Sequence, residues 1–547
     1  MTTRRRAPLL LVAATVTALV GGTAPVTASP VARAAPAAVV PDLPLGPAGL
    51  PQAVEVEQLA AGVTRTRVVR GAVDADVPWV VELSIPAGAT GPDPDAPARS
   101  VQDAASAADL VARLAAAGFP TAAQPVRQTA AADLPASVLG QRVRLVEGFA
   151  DRAAAQAAVA RLRAAGFTAR DWYSGWDGGS TAPGRWEMDV LVVDPATFEG
   201  ELGASYGPDL ERRETVSALA AAEGAVAAVN GGFFVLDPAA GAPGDPAGTG
   251  VYDGRVVSEP VGDRPALVLH EDGRAAVARP AWRGTAALTA RPSRPGAAGE
   301  LLDLDGVDRV PGLVRNCGGT GDTPTDLPRH DVTCTDDDEL VAFTTAFGAS
   351  TPAGPGREVV VDASGRVVAV QDRRGVALTA GRRSLQATGD RVAEVAAARP
   401  GDRLRLRTAT VADGRSLAAP GVSVVNGGPE LVRDGRAHVT EARDGMVHPD
   451  DPSFAYGWAL QRNPRTFAGV DGQGRTVLVT VAGRRLDSLG LSVGEAADVA
   501  RALGLRDAVN LDGGGSTAMV VRGELVTSVS DATGERPVGD AVVVRPR

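Results

Sequence analysis

The chain contains no lysine: all 55 basic residues among its 547 are arginine. That excludes a Walker-type phosphate loop, which needs a lysine before its hydroxyl residue. Acidic residues number 65, so the formal net charge is −10. An excess of negative charge argues against a nucleic-acid partner or an anionic membrane surface. A phosphate-bearing substrate would have to be held by local arginines against that field. Only two cysteines occur, Cys317 and Cys334. With His330 as the one further ligand nearby, they offer no metal set. The Gly-x-Ser-x-Gly frame of a serine hydrolase is missing. The acidic run Asp336-Asp337-Asp338-Glu339 lacks the Asp-x-Asp-x-Asp-Gly spacing of a calcium loop and reads as a solvated stretch. No apolar stretch is long enough to cross a bilayer.

What is present describes a globular, exported chain. Hydrophobic residues make up 44%, ordinary for a folded protein, and the length suits two to four domains. Arg4-Arg5-Arg6, an apolar run from Leu9 to Val20 and small residues at Ala28 and Ala34 read as a secretory signal over 1–34. The Ala/Pro/Val-rich stretch 35–57 reads as a linker. In an exported chain Cys317 and Cys334 are expected to form a disulfide.

From Ala60 to Pro86 the pattern alternates as strands do, and 58–98 is read as the first piece of the main domain. Residues 101–175 hold an internal repeat. Val111-Ala112-Arg113-Leu114 through Gly118-Phe119 recurs as Val159-Ala160-Arg161-Leu162 through Gly166-Phe167. Each copy is the end of an amphipathic helix stopped by glycine and followed by a strand. Strand patterning resumes at Trp186, so the repeat reads as an insertion. Two βα repeats over this length resemble a SPOR domain, a family known for binding peptidoglycan glycan strands. The resemblance implies peptidoglycan as a partner through 101–175.

The main domain, 186–547, carries three apolar strands that each end in a polar, glycine-rich turn: Asn230-Gly231-Gly232, Asn426-Gly427-Gly428 and Asp512-Gly513-Gly514-Gly515-Ser516-Thr517. One such turn means little, since Asn-Gly is common hairpin chemistry. Three suggest one pocket at a sheet edge, offering backbone N–H groups to a polar or anionic ligand. Glu430 and Asp512 could work there as an acid/base or nucleophile pair. Arg465 could fork onto a phosphate. Ser492-Val493-Gly494-Glu495 is a capping box. The helix it opens sits between a strand from Val477 and the strand that delivers Asp512.

The ordered motifs Asn-Gly-Gly-Phe-Phe at 230–234, Asn-Gly-Gly-Pro-x-Leu-Val at 426–432, Pro-Arg-Thr-x-x-Gly at 464–469 and Asn-Leu-Asp-Gly-Gly-Gly-Ser at 510–516 resemble the phosphodiester glycosidase family. The resemblance implies hydrolysis of a sugar-1-phosphodiester at the anomeric carbon, within an α/β (mixed α+β) domain built on a large mixed sheet. It implies Asp512 and Glu430 as catalytic carboxylates and Asn230 and Asn426 as groups holding sugar hydroxyls or orienting water. Arg465, Ser516 and Thr517 would hold the phosphate. Glu535 and Arg536 would complete the pocket, and His448 could protonate the leaving group. No cofactor is required by this reading; a divalent cation, calcium, is an open option. The expected protein is secreted and wall-associated, with a glycan phosphodiester as substrate. Two rivals stand beside it: a non-catalytic wall-glycan binder, and a phosphodiesterase that releases sugar phosphate.

Overall fold

A computed structural model describes residues 40–85, 98–179, 181–260, 262–291, 301–314, 321–324, 334–448 and 450–547. The signal expected over 1–34 and Cys317 lie outside them. Residues 40–547 form one compact unit, and strand far outweighs helix among the elements.

The organising element is an eight-stranded sheet in the order Gln52–Ala60, Val63–Gly71, Arg185–Val193, Thr476–Val481, Arg465–Asp471, Leu505–Asn510, Glu430–Arg433 and Arg436–Ala437. Its central strands are apolar on both faces. Val477, Val479, Val481, Phe467 and Ala508 point to one side, where they pack with Ala496, Val499 and Ala500 of the helix Val493–Ala502. Leu478, Ala468 and Val509 point to the other, against Val229, Leu267, Val425 and Val542. This is the two-residue period of a strand read on two buried faces. The sheet is not mixed as expected. Each of its pairings is antiparallel, because Arg465–Asp471 intervenes between Thr476–Val481 and Leu505–Asn510. The helix Val493–Ala502 begins with the expected capping box, Ser492 and Glu495 each bonding the other's backbone N–H.

The linker expected over 35–57 is a correction. Gln52–Ala60 is an edge strand of the main sheet, paired with Val63–Gly71, and Leu43 and Leu45 are buried in its core. Apolar residues spaced by proline and glycine hide such short anchoring segments from a compositional reading.

The repeat is an insertion between Val63–Gly71 and Arg185–Val193, which pair directly with each other. It begins earlier than expected. Trp79–Leu83, assigned above to the main domain, pairs with Ala169–Tyr173 and Ser137–Leu145 of the repeat. With the helices Ala104–Ala116 and Arg152–Ala164 and the strand Thr121–Gln128, and leaving aside the two-residue strand Val101–Gln102, the chain order is strand, helix, strand, strand, helix, strand. This is the split βαβ topology. Trp79–Leu83 is therefore the strand that precedes the first helix of the repeat. Asp103 and Asp151 cap the two helices.

A second insertion lies between Ala275–Ala278 and Val422–Asn426, strands of one five-stranded sheet. Its strands run from Ala281–Thr289 to Arg403–Ala412 around a core of its own that includes Leu340, Val359, Leu385 and Leu404. The insertion includes the short strand Leu340–Phe343. The acidic run is only half solvated: Asp337 and Asp338 are exposed, whereas Glu339 is buried against Arg309.

Candidate active site

The three glycine-rich turns are brought together and stitched by backbone bonds. Asp512 N–H donates to Gly231 O (3.1 Å), Gly428 N–H donates to Asn510 O (2.8 Å), and Asn510 N–H donates to Pro429 O (3.0 Å). Gly231 has no room for a side chain: a Cβ there would lie 2.3 Å from Asp540 Oδ1. Asp540 is itself fixed, accepting from Gly232 N–H (2.9 Å) and from the Tyr252 hydroxyl (2.7 Å). Burial holds its carboxyl up at about 6.

The two asparagines do not present their amides to a ligand, which corrects the sequence expectation. Asn230 Nδ2 donates to Asp512 O (2.7 Å), and its Oδ1 accepts from Thr466 Oγ1 (2.6 Å) and Ala518 N–H (3.2 Å). Asn426 closes on both backbone groups of Phe233, at 3.0 and 2.9 Å. Both are sealed in the core. Their work is to hold the turns in register, which a buried amide does well because each of its groups finds a partner.

Asp512 stands at the end of Leu505–Asn510 with its carboxylate 8% exposed. Its Oδ1 accepts from Gly513 N–H (2.8 Å). Gly514 N–H donates to Pro464 O (3.0 Å), so the turn leans on the Pro464-Arg465 backbone. Ser516 and Thr517 are buried behind it, and Thr517 Oγ1 is sealed off without a hydrogen-bond partner.

Glu430 is not paired with Asp512 by any described contact. Arg279 Nη2 (3.2 Å), His438 Nε2 (3.4 Å) and the Arg433 guanidinium surround its carboxylate. It is an ion cluster at the edge of the sheet. Its described partners are thus these groups, contributed by its own hairpin and by Arg279.

Arg465 is buried, and among the described residues its side chain bonds to carbonyls, those of Leu491 (3.0 Å) and Trp458. Burial and the neighbouring Arg484 cation lower its pKa to about 10. Arg484 adopts a left-handed backbone, φ 55°, which costs a non-glycine residue about 1–3 kcal/mol and is typical of functional sites. Its guanidinium donates to Asn463 Oδ1 (3.0 Å) and lies over Gly514. On the other flank Arg536 pairs with Asp531 (2.8 Å) against Gly515, and with burial it depresses the pKa of Arg213. Arg484 and Arg536 thus flank the turn, the charge of Arg536 offset by Asp531, which also lies against Gly515. Glu535 serves elsewhere, accepting from Ser217 N–H (2.9 Å) at the start of the helix Val216–Glu223.

The segment 440–462 brings up the remaining groups. His448 packs edge-on to Phe454, ring centroids 4.4 Å apart. Glu441, absent from the sequence reading, is buried, accepts from Gln128 Nε2 (2.7 Å), and is pushed up to about 7, mainly by burial, with Arg465 opposing. Arg484 and Glu441 carry no local motif. Only their proximity to Arg465 marks them. Among the described residues no group of three or more His, Cys, Asp or Glu could hold a metal.

Comparison with known proteins places these features. Residues 356–545 match the phosphodiester glycosidase family, a span that takes in the Asn426, Arg465 and Asp512 motifs and leaves out the Asn230 turn. No curated protein matches the chain. A solved structure from Burkholderia pseudomallei, named only "Putative exported protein", is 35% identical with a TM-score of 0.78, covering 92% of this chain and 98% of that one. A hypothetical protein from Synechocystis shares the fold at 17% identity and TM-score 0.51, over 91% of this chain and 76% of that one. The zebrafish N-acetylglucosamine-1-phosphodiester alpha-N-acetylglucosaminidase catalytic domain overlays at TM-score 0.33 and 14% identity, over 68% of this chain and 80% of that one, too loosely to build on. The chain belongs to one family with the Burkholderia protein, and its C-terminal part is similar to the phosphodiester glycosidase family.

Proposed function

We propose that the chain hydrolyses a sugar-1-phosphodiester at the anomeric carbon, with Asp512 as its catalytic carboxylate. The observation that carries this reading is the Asp512 carboxylate on a glycine-rich turn against which Arg484 and Arg536 lie, in an otherwise acidic protein. In the reaction the bond from the anomeric carbon to the phosphate oxygen breaks, and that oxygen keeps the electron pair. Water supplies hydroxyl to the sugar and a proton to the products, which are free sugar and a phosphomonoester. Charge gathers on the leaving phosphate, so fixed cations beside it lower the barrier. In this reading Arg484 and Arg465 supply those cations, while Ser516 and Thr517, buried behind the turn, support it rather than touch the phosphate. Glu441, with a pKa of about 7, can trade the proton near neutrality.

The substrate in this reading is a GlcNAc-1-phosphodiester-like group on a wall or extracellular polymer. The enzyme is exported and wall-associated, and the split βαβ insertion binds glycan strands. The Cys317–Cys334 disulfide belongs to the same picture of an oxidising location.

The test is to incubate wild type and Asp512→Asn with a GlcNAc-1-phosphodiester and identify the products. Free GlcNAc plus phosphomonoester is expected from the wild type. Loss of an acid/base or nucleophilic group typically costs roughly 10²–10⁴-fold in rate, and the variant should show that loss. Release of GlcNAc phosphate would make the chain a phosphodiesterase instead. Full activity in Asp512→Asn would remove the central carboxylate from the mechanism.

A further inference from the structure

Arg264 stands just before the strand Ala266–His270, which pairs with Val422–Asn426 so that Ala266 lies opposite Asn426. The next residue, Pro265, accepts from Gly427 N–H (3.0 Å). Arg264 is therefore fixed to the second glycine-rich turn. Its side chain is 8% exposed, yet among the described residues no hydrogen bond or ion pair reaches its guanidinium. The nearest acid is Asp444, and that carboxylate is already taken. Its Oδ1 accepts from Arg279 Nη1 (2.8 Å), and its Oδ2 accepts from Thr440 Oγ1 (2.5 Å), Glu430 N–H (3.1 Å) and Arg279 Nη2 (3.2 Å). Space is kept for the guanidinium by Gly445, where a Cβ would lie 2.7 Å from Arg264 Nη2.

A buried arginine with donors to spare is costly unless something pairs with it. Other buried arginines of this chain are paired: Arg144 with Glu82 and Asp177, Arg309 with Glu259 and Glu339, Arg462 with Glu495. Arg70 and Arg465 bond to backbone carbonyls. Arg264 has neither an acid nor a carbonyl bonded to it among the described residues, and burial with too little compensation depresses its pKa. A guanidinium fork is matched by the paired oxygens of a phosphate or carboxylate. The scissile phosphate has its own cations, Arg465 and Arg484, on the Asp512 side. Asn510 links the two sides, donating from Nδ2 to Gly428 O (3.1 Å) two residues before Asp512.

We propose that Arg264 binds a second anionic group of the substrate, so that the site selects sugar phosphodiesters bearing a further phosphate or carboxylate. This inference rests on the reading of the site as one for phosphodiesters. It narrows the substrate to a polyanionic glycan, in which charge recurs from unit to unit, and it separates phosphate chains from uronate-bearing ones by which second group is preferred.

The experiment compares two synthetic GlcNAc-1-phosphodiesters, one with a neutral benzyl aglycone and one whose aglycone carries a second phosphate. A third, with a carboxylate in that place, distinguishes the source of the charge. Wild type should prefer the dianionic substrates by at least tenfold in kcat/KM. In Arg264→Gln the loss should fall at least tenfold harder on those substrates, mostly through KM, and Arg264→Lys should restore part of it. Thermal unfolding should shift upward or stay put in Arg264→Gln, because an unpaired buried charge has been removed. Equal loss on all substrates, an intact preference, or a fall in Tm would overturn the proposal. Calorimetric titration of inorganic pyrophosphate gives a readout independent of turnover, with at least tenfold weaker binding expected in Arg264→Gln. Unchanged pyrophosphate binding would also overturn it. If the wild type hydrolyses neither diester while pyrophosphate binding still depends on Arg264, the anion site stands and the hydrolase reading falls.

Discussion

Replacing Glu82 by Gln tests whether the inserted repeat is a tethered accessory or a structural wall of the site. Glu82 lies on Trp79–Leu83 and is fully buried. It accepts from Arg144 Nε (2.9 Å), Arg170 Nη2 (2.6 Å) and the Tyr456 hydroxyl (2.8 Å). Tyr456 belongs to the main domain and begins the 456–460 turn that leads to Arg462 and Arg465. The guanidinium groups of Arg170 and Arg144 overcome the burial penalty and hold the Glu82 carboxyl down at about 2, against an ordinary 4.5. At 1.36 kcal/mol per pKa unit, this shift links to about 3 kcal/mol of stability. Because the folded pKa is the lower one, that stability is present above pH 4.5 and lost as pH falls toward 2. Glu82→Gln keeps the shape and leaves Arg144 and Arg170 short of an anion. Urea unfolding at pH 7 should show a loss of about 3 kcal/mol, within the range for breaking a buried pair. The gap between variant and wild type should close as pH falls through 4.5 to 2. Hydrolysis of a small GlcNAc-1-phosphodiester should fall as well, since the clamp on Tyr456 is loosened. A change under about 0.5 kcal/mol at pH 7, or a gap that does not close in acid, would refute the reasoning. The same contacts mean that deleting 101–175 would strip the core that Leu114, Val143 and Leu162 share with Trp186 and Val499. Glycan pull-downs therefore need point variants on the outer face of the repeat.

Two further outcomes follow from the site. Glu441→Gln should remove the limb near pH 7 from the kcat/KM profile. It should also stabilise the protein above that pH, because a carboxyl raised to about 7 costs stability as pH climbs from 4.5 through 7; a profile identical to wild type would exclude Glu441 from proton transfer. Gly231→Ala forces a Cβ onto the fixed Asp540 carboxylate, so thermal unfolding should report a loss of about 1–3 kcal/mol from overpacking, with activity down at least tenfold. Gly472→Ala, with nothing within 4 Å of the added methyl, is the neutral control.

The readable parts of this chain were those whose cause is local. The capping box at Ser492 and Glu495 and the glycine-stopped helices of the repeat are written within a few consecutive residues. So are the three strand-then-glycine turns, and the structure joins those turns as expected. Side-chain roles at the same turns were not readable. Asn230 and Asn426 looked like ligand groups because an asparagine beside glycines is exposed in most turns. Here their partners, Asp512 O and Phe233, come from 282 and 193 residues away. Nothing local to Glu430 announced its ion pair with Arg279, which the fold brings from another sheet.

By itself the sequence determined the alternation that makes strands, the caps that start helices, the glycines that let a turn carry Asp512, and the motifs of the phosphodiester glycosidase domain. Only the tertiary structure decided which sheet Trp79–Leu83 would join, that the large sheet is antiparallel throughout, and which arginines keep their charge unspent. The physical reason is that a two-residue period specifies a buried face but not the neighbour across it. A charged side chain's function depends on whether a counter-charge arrives from elsewhere. Arg279, Arg465 and Arg264 are the same residue type in similar local surroundings. They differ in what the fold sets beside them: two carboxylates for the first, carbonyls and another cation for the second, and for the third a carboxylate whose bonds are already made.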